Sequence, residues 1–420
     1  MTRILHTGDT HLGYQQYHLP ERREDFLGAF RTVAVDAANE DIDAVVHAGD
    51  LFHDRQPRLT DIMGALSVLR ELDDAGVPFL AVVGNHETKR SQQWLDLFES
   101  MGLATRLGAE PVTIGNSAFY GLDFVPRSRR DDLEYEFEPC DAEYAALVSH
   151  GLFEPFEHGD WDTRTILDEA NITFDAMLLG DDHEAKTKQL DEPTETWLTY
   201  CGSTERASAS ERDARGYNLV SFDDRVDIRR RGLDTREFEF VDVELQAGEG
   251  GGRVRERIDE YNVEEKVVIV TVTGEGEEVM AAGIEEYGDE QGALTTRVND
   301  RRELEEATSA DVSFADPDEA VQQRIREMGL SPAARDLDET IRASKVADSN
   351  VADEVQRRVS EFVTDADAGA FDPVEDASDD DSPAEPTADD GSTVDSGAEQ
   401  AETTAEPEAE QSQVTMEDYL

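Results

Sequence analysis

Residues 4–14 read Ile4-Leu5-His6-Thr7-Gly8-Asp9-Thr10-His11-Leu12-Gly13-Tyr14, an apolar start that breaks at a glycine into an Asp-x-His triplet. The same grammar returns four times. Ala44-Val45-Val46 leads to Gly49-Asp50, and Phe79 to Val83 leads to Gly84-Asn85-His86. Ala145 to Val148 leads to a lone His150, and Ala176 to Leu179 to Gly180-Asp181-Asp182-His183. Short apolar runs bounded by glycine read as strands buried on both faces. Carboxylates, imidazoles and one carboxamide then converge from separate loops at one sheet edge. Hard oxygen and imidazole donors together suit divalent ions of the manganese, iron or zinc type. Two such ions side by side are a device for cleaving phosphate esters.

Each block has a mechanical reason. In Asp9-Thr10-His11 alternate side chains leave a strand end on one side, so both reach one ion. Gly49 lets the backbone turn closely beneath the metals. One Asp50 carboxylate can bridge two cations, Asn85 adds a neutral oxygen, and His86 points away from the metals toward a leaving group.

Outside these blocks, residues 21–39 and 60–72 carry helical apolar stripes (Phe26, Phe30, Val33, Ala37; Ile62, Leu66, Leu69, Leu72). Alternation of such helices with strands argues an α/β core over residues 1–245. Strands at 195–201, 217–222 and 226–231 are expected to form a meander, in sheets that pack face to face with helices outside. The Gly-rich stretch 246–252 reads as a linker. Within 246–300 a small α/β unit follows, with helices at 254–261 and 277–287 and strands at 266–272 and 294–298. Residues 301–330 read as a second linker and 331–363 as two short helices. From 364 to 420 there are 19 Asp or Glu, no Lys or Arg and almost no large apolar residue. Such a tail cannot bury enough surface to fold and is expected to be disordered.

A chain of 420 residues implies two or more domains. Its formal charge is −60, and of its 38 basic residues only five are Lys. An acidic chain nearly without Lys resembles the proteins of salt-accumulating archaea, where a Debye length of about 3 Å at 1 M salt screens self-repulsion. Cys140 and Cys201 offer neither a disulfide framework nor a zinc ribbon. No apolar run approaches the roughly 20 residues of a membrane span, and no leader pattern opens the chain. A soluble, cytoplasmic, nucleoid-associated protein is expected.

The order D-x-H, G-D, G-N-H, lone H and G-x-x-H resembles the calcineurin-like metallophosphoesterases. That resemblance implies a β-sandwich flanked by helices. A closer one, to the DNA double-strand-break repair nucleases of the meiotic-recombination-eleven kind, rests on Leu12-Gly13-Tyr14, Leu51-Phe52-His53-Asp54, Pro57 and Gly84-Asn85-His86-Glu87. It implies two Mn2+ ions. Asp9, His11, Asp50 and His183 would hold one; Asp50, Asn85, His150 and Asp181 the other. His86 would act as general acid or phosphate stabiliser, supported by His53. Asp181 stands where the family places a histidine. Asp182 is its neighbouring alternative, with a side chain expected to face the other way.

The resemblance further implies a 3′–5′ double-strand exonuclease and single-strand endonuclease, a DNA-capping domain at 246–300, a homodimer and a Rad-fifty-type coiled-coil ABC ATPase partner. The ATPase would dock on the 331–363 helices through Val355, Val359 and Phe362. A DNA-end tether with little nuclease activity, or another phosphatase of the superfamily, are the rival readings. DNA contacts are expected from Arg55 and Arg58, beside the His53 loop. The clusters Arg22-Arg23, Arg127 to Arg130 and Arg229 to Arg231 either join them or pair with the abundant carboxylates. The end of the tail, with Gln413, Met416, Tyr419 and Leu420, resembles the peptide that binds the PCNA sliding clamp; a chance acidic sequence is the other reading.

Overall fold

The computed structural model describes residues 1–89 and 92–302. Two six-stranded sheets face each other. The first has the order β12-β11-β1-β2-β3-β4, from β1 (Thr2–Thr7), β2 (Ala44–His47), β3 (Phe79–Ala81), β4 (Thr105–Arg106), β11 (Gly216–Phe222) and β12 (Val226–Gly232). The second has the order β5-β6-β7-β8-β10-β9, from β5 (Val112–Ile114), β6 (Ser117–Leu122), β7 (Tyr144–His150), β8 (Ala176–Gly180), β9 (Lys186–Leu190) and β10 (Thr196–Tyr200).

Both faces of the central strands are covered, which is why they read as unbroken apolar runs. Leu5, Val45 and Phe79 turn outward onto α1 (Pro20–Asn39) and α2 (Leu59–Asp74), meeting Phe30, Val33, Leu69 and Leu72. Their neighbours Ile4, Ala44, Val46 and Leu80 turn inward and meet Phe119, Val148 and Leu178 of the second sheet. A third core lies outside that sheet, where Met177, Leu179 and Tyr200 pack on Phe174, Trp161 and α4 (Thr163–Glu169). The helix α3 (Trp94–Ser100) follows the third ligand block. This is the expected sandwich flanked by helices.

Two local expectations fail. The three-strand meander does not form: β11 and β12 make the expected antiparallel hairpin beside β1 in the first sheet, but β10 pairs with β8 and β9 in the second. Alternation fixes which face a strand buries, not which strand lies beside it. The Gly-rich stretch is also not a simple linker, because Gly251 and Gly252 open helix α5 (Gly251–Ile258). Upstream of it, β13 (Phe238–Leu245) runs parallel to β14 (Val267–Gly274), which runs parallel to β15 (Thr295–Asp300). The small unit therefore begins at about 238. Its core joins Val241, Val243, Val268 and Val270 with α5 and α6 (Ala281–Glu290) through Val254, Ile258 and Ile284. The helices and peptide expected at 331–363 and 413–420 lie outside the described residues. Among the described residues no helix is long and apolar enough to cross a membrane.

His6 and His47, on β1 and β2, are fully buried, and burial pushes both down to about 3. The unfolded chain, with histidines near 6.5, binds more protons between those values. Stability contributed by the neutral rings is therefore present above pH 6.5 and lost as pH falls toward 3. Each ring sets a slope of up to about 1.4 kcal/mol per pH unit. Denaturant midpoints at fixed salt should fall along this limb, and His6→Leu should flatten it. An unchanged slope would remove His6 from the account.

Candidate metal centre

The parallel strands β1, β2, β3, β7 and β8 end at one edge of the sandwich, and the loops that leave them meet there. Ligands gather outside the carboxyl ends of parallel strands for this reason. Main-chain bonds fasten the first two loops together: Asp9 N–H donates to Gly49 O (3.0 Å), His11 N–H to Asp50 O (3.0 Å) and Leu12 N–H to Leu51 O (2.9 Å). Asp9, His11, Asp50 and Asp181 all adopt positive φ, at 48°, 43°, 56° and 93°. Left-handed backbone at a non-glycine residue costs on the order of 1–3 kcal/mol and persists where surroundings enforce it. Beneath the loops there is no room for a methyl group. A Cβ on Gly84 would strike Asp50, on Gly49 it would strike the His150 ring, and on Gly180 the Ala48 carbonyl.

All seven expected ligands come together. Asp9, His11 and His183 offer atoms within 4.8 Å of one another, as do Asp9, Asp50 and His150. His11 Nε2 lies 3.1 Å from His183 Nε2. Asp50 Oδ2 reaches both sides, 3.9 Å from His11 Nε2 and 3.5 Å from His150 Nε2. Its Oδ1 accepts the His86 N–H at 3.0 Å. His150 Nε2 lies 3.0 Å from Asn85 Oδ1 and 3.7 Å from Asp181 Oδ1. Asp181 N–H donates to both Asp9 oxygens, at 3.1 and 3.2 Å. Asp182 turns elsewhere, to Lys186 Nζ at 2.7 Å.

In two of the three imidazoles the ring nitrogen facing away from this cluster is bonded elsewhere, whereas His11 Nδ1 is buried without a hydrogen-bond partner among the described residues. His150 Nδ1–H donates to Ala48 O at 2.7 Å, and His183 Nδ1–H to Glu211 Oε1 at 2.7 Å. That leaves each Nε2 as the ligand atom, the usual way a second partner orients a metal-binding imidazole. Electrostatics point the same way. Burial pushes the Asp9 carboxyl up to about 6. His183 rises to about 9, because the Glu211 carboxylate outweighs the burial that opposes its charge. His150 rises likewise beside Asp50, whose own carboxyl stays far below the usual range, the imidazoles outweighing its burial. Asp9, His150 and His183 hold protons more tightly than usual whereas burial pushes His11 down, so divalent ions bound to these oxygen and imidazole donors would displace protons.

His86 and His53 stand just beyond, with ring centroids 4.9 and 5.4 Å from that of His11. His86 Nδ1 lies 2.8 Å from the His53 carbonyl oxygen, which makes it the donor of that bond. His53 stacks on Tyr14 at 4.0 Å, and burial, with His86 beside it, pushes it down to about 4. Arg58 is exposed at the head of α2, its N–H on Asp61 at 2.9 Å. Arg55 is half-buried, and its carbonyl accepts the Trp94 indole N–H at 3.0 Å. Of the other arginines weighed for DNA, Arg127, Arg129 and Arg229 are exposed, and several of the rest are tied into the fold. Arg22 is fully buried and holds Gln16, Asp25 and the Arg206 carbonyl. Arg23 pairs with Asp61, Arg130 with Asp160, Arg229 with Asp227 and Arg231 with Glu40.

Two residues that matter here escaped the sequence reading, and a third, Glu87, was given no role there. Glu211 and Arg215 come from an irregular polar stretch without periodicity; Arg215 donates to the His183 carbonyl (3.0 Å) and to Glu211 (3.1 Å). Glu87 follows the third block directly. Its buried carboxyl accepts the N–H groups of Leu51 and Phe52, each at 3.2 Å, and ties that block to the His53 loop.

Residues 2–185 match the family described as Calcineurin-like phosphoesterase. The chain is 63% identical over 374 residues to the DNA double-strand break repair protein Mre11 of Haloferax volcanii, covering 88% of this chain and 84% of that one. It is 56% identical over 379 residues to the protein of the same description from Halobacterium salinarum, covering 89% and 97%. With that of Methanosarcina acetivorans the identity is 42% over 375 residues, covering 86% and 61%.

Proposed function

Because the chain belongs to the Mre11 family of calcineurin-like phosphoesterases, in a haloarchaeal form, we propose that it is a manganese-dependent DNA nuclease of double-strand break repair. The observation that carries this reading is the meeting of seven oxygen and imidazole donors around Asp50, with the His86–His53 pair beside them. Asp9, His11, Asp50 and His183 would hold one Mn2+, and Asp50, Asn85, His150 and Asp181 a second. When bound, such ions neutralise phosphate charge and make water a nucleophile near neutral pH. The chain's own part is positional. Asp50 sets the spacing of the two donor groups. His86, with Nδ1 committed to the His53 carbonyl, keeps Nε2 for handing a proton to the leaving oxygen. His53, neutral and stacked on Tyr14, holds that carbonyl in place.

The expected activities are a 3′–5′ exonuclease on duplex ends and a single-strand endonuclease, acting with a Rad50-type ATPase. Homodimerisation is supported by Leu59 and Met63, one turn apart on α2 and 73% and 53% exposed. The ATPase-binding helices at 331–363 and the PCNA-binding peptide at 413–420 remain part of the proposal. Digestion of end-labelled duplex and circular single strands, in molar potassium chloride with and without Mn2+, tests the whole. Release of phosphate from small monoesters with no DNA cut would favour a phosphatase. Bridging of DNA ends with neither activity would favour a tether, a reading that Asp181 keeps open by replacing a histidine.

Asp181→Ala is expected to bring bound manganese below two per chain by elemental analysis. Unchanged occupancy and unchanged cleavage would exclude Asp181 as a ligand.

A further inference from the structure

The irregular segment 203–215 touches two things at once. On one side Glu211 carries His183 by the 2.7 Å bond to its Nδ1. The same carboxylate accepts the Ala207 N–H at 3.0 Å and Arg215 Nη1 at 3.1 Å, so it is locked to its own segment. On the other side the next residue, Arg212, grips the three-stranded sheet. Its guanidinium bonds Asp242 twice, at 2.9 and 2.6 Å, and lies 4.8 Å from the Phe240 ring centre. Arg206 pins the segment from within: Nε donates to Glu211 O at 3.0 Å while its guanidinium lies 5.3 Å from the Phe238 ring.

Phe238, Phe240 and Asp242 alternate along β13 and so share one face, while Val241, Val243 and Leu245 fill the core on the other. The sheet therefore meets this segment through a single strand face. Since Glu211 and Arg212 are consecutive, a displacement of β13 transmitted through Arg212 moves the backbone that carries Glu211.

We propose that residues 205–213 form a strap that couples the position of the three-stranded sheet to metal occupancy, with Glu211 the positioning residue and Arg212–Asp242 its grip. The proposal rests on the reading of His183 as a metal ligand. Coupling of this kind is reciprocal: the sheet's position changes metal affinity, and metal binding steadies the sheet.

Manganese titration calorimetry on the full chain tests it. Arg212→Asp and Asp242→Arg should each weaken Mn2+ binding by about two- to five-fold, a ceiling set by the modest strength of an exposed ion pair. The double variant, with the charges exchanged, should restore it. Saturating Mn2+ should slow amide exchange in β13 to β15 of the wild type and not of Arg212→Ala. Equal affinity in all variants, with exchange indifferent to Mn2+, would overturn the strap. His183→Ala run alongside separates the two readings. If it keeps full manganese, the ligand assignment itself fails; if it loses manganese while Arg212→Asp does not, only the strap fails.

Discussion

Replacing His86 with alanine is expected to lower DNA cleavage by about 10²- to 10⁴-fold, the range set by loss of a positioned general acid, while manganese stays bound. The separation rests on the bonds His86 makes, although His11, His53 and His86 also offer ring nitrogens within 4.8 Å of one another. The His86 imidazole is spent on the His53 carbonyl through Nδ1, and its contact with Asp50 is made by the backbone N–H. Alanine keeps that backbone donor, so Asp50 stays oriented. Single-turnover cleavage beside elemental analysis of the same preparation reads both quantities. Loss of manganese in the variant would place His86 among the ligands.

Asp50→Asn is expected to be the most damaging substitution that preserves shape. The carboxylate lies between His11 and His150, and its buried charge pushes the His150 imidazole pKa up. An amide of the same size would still accept the His86 N–H but could not balance two cations. Manganese should fall to one ion per chain or fewer, with nuclease activity down by about 10²- to 10³-fold, as when transition-state charge goes unanswered. In Mn2+ at 100 times the dissociation constant, each occupied site should add about 2.7 kcal/mol of stability to the wild-type protein. The variant should lose at least one site's share of that gain in denaturant titrations with and without Mn2+. Retention of two ions would shift the bridging role to Asp9, which belongs to both donor groups.

The candidate donor blocks were legible because four of the five are contiguous, a strand buried on both faces, a glycine, then donors in a fixed order, while His150 follows its strand without a glycine before it. What stayed hidden depends on contacts remote in sequence. Nothing local says that β10 lies beside β8 or β11 beside β1. The valines and leucine of β13 read as the end of the larger domain, although their partners lie in β14. Glu211 and Arg215 sit in a stretch without period or glycine signature, and only the fold brings them to His183. For Arg22 and Arg23, the reading that they pair with carboxylates is the one that holds, with Asp25 and Asp61. On a helix, neighbours face different ways, and here one is sealed in the interior.

The glycine floor beneath the centre bears on how such a site can change over generations. At positions 49, 84 and 180 any side chain collides with the main chain or with a ligand, so every point mutation there is blocked. Position 181 is different. Its N–H makes the bond to Asp9, a main-chain donor that survives replacement of the side chain. The foundation is frozen, while the rim can vary among side chains that tolerate the positive φ of 93°. Selection for a harder or softer metal would therefore write its record at residue 181 and leave the architecture below untouched.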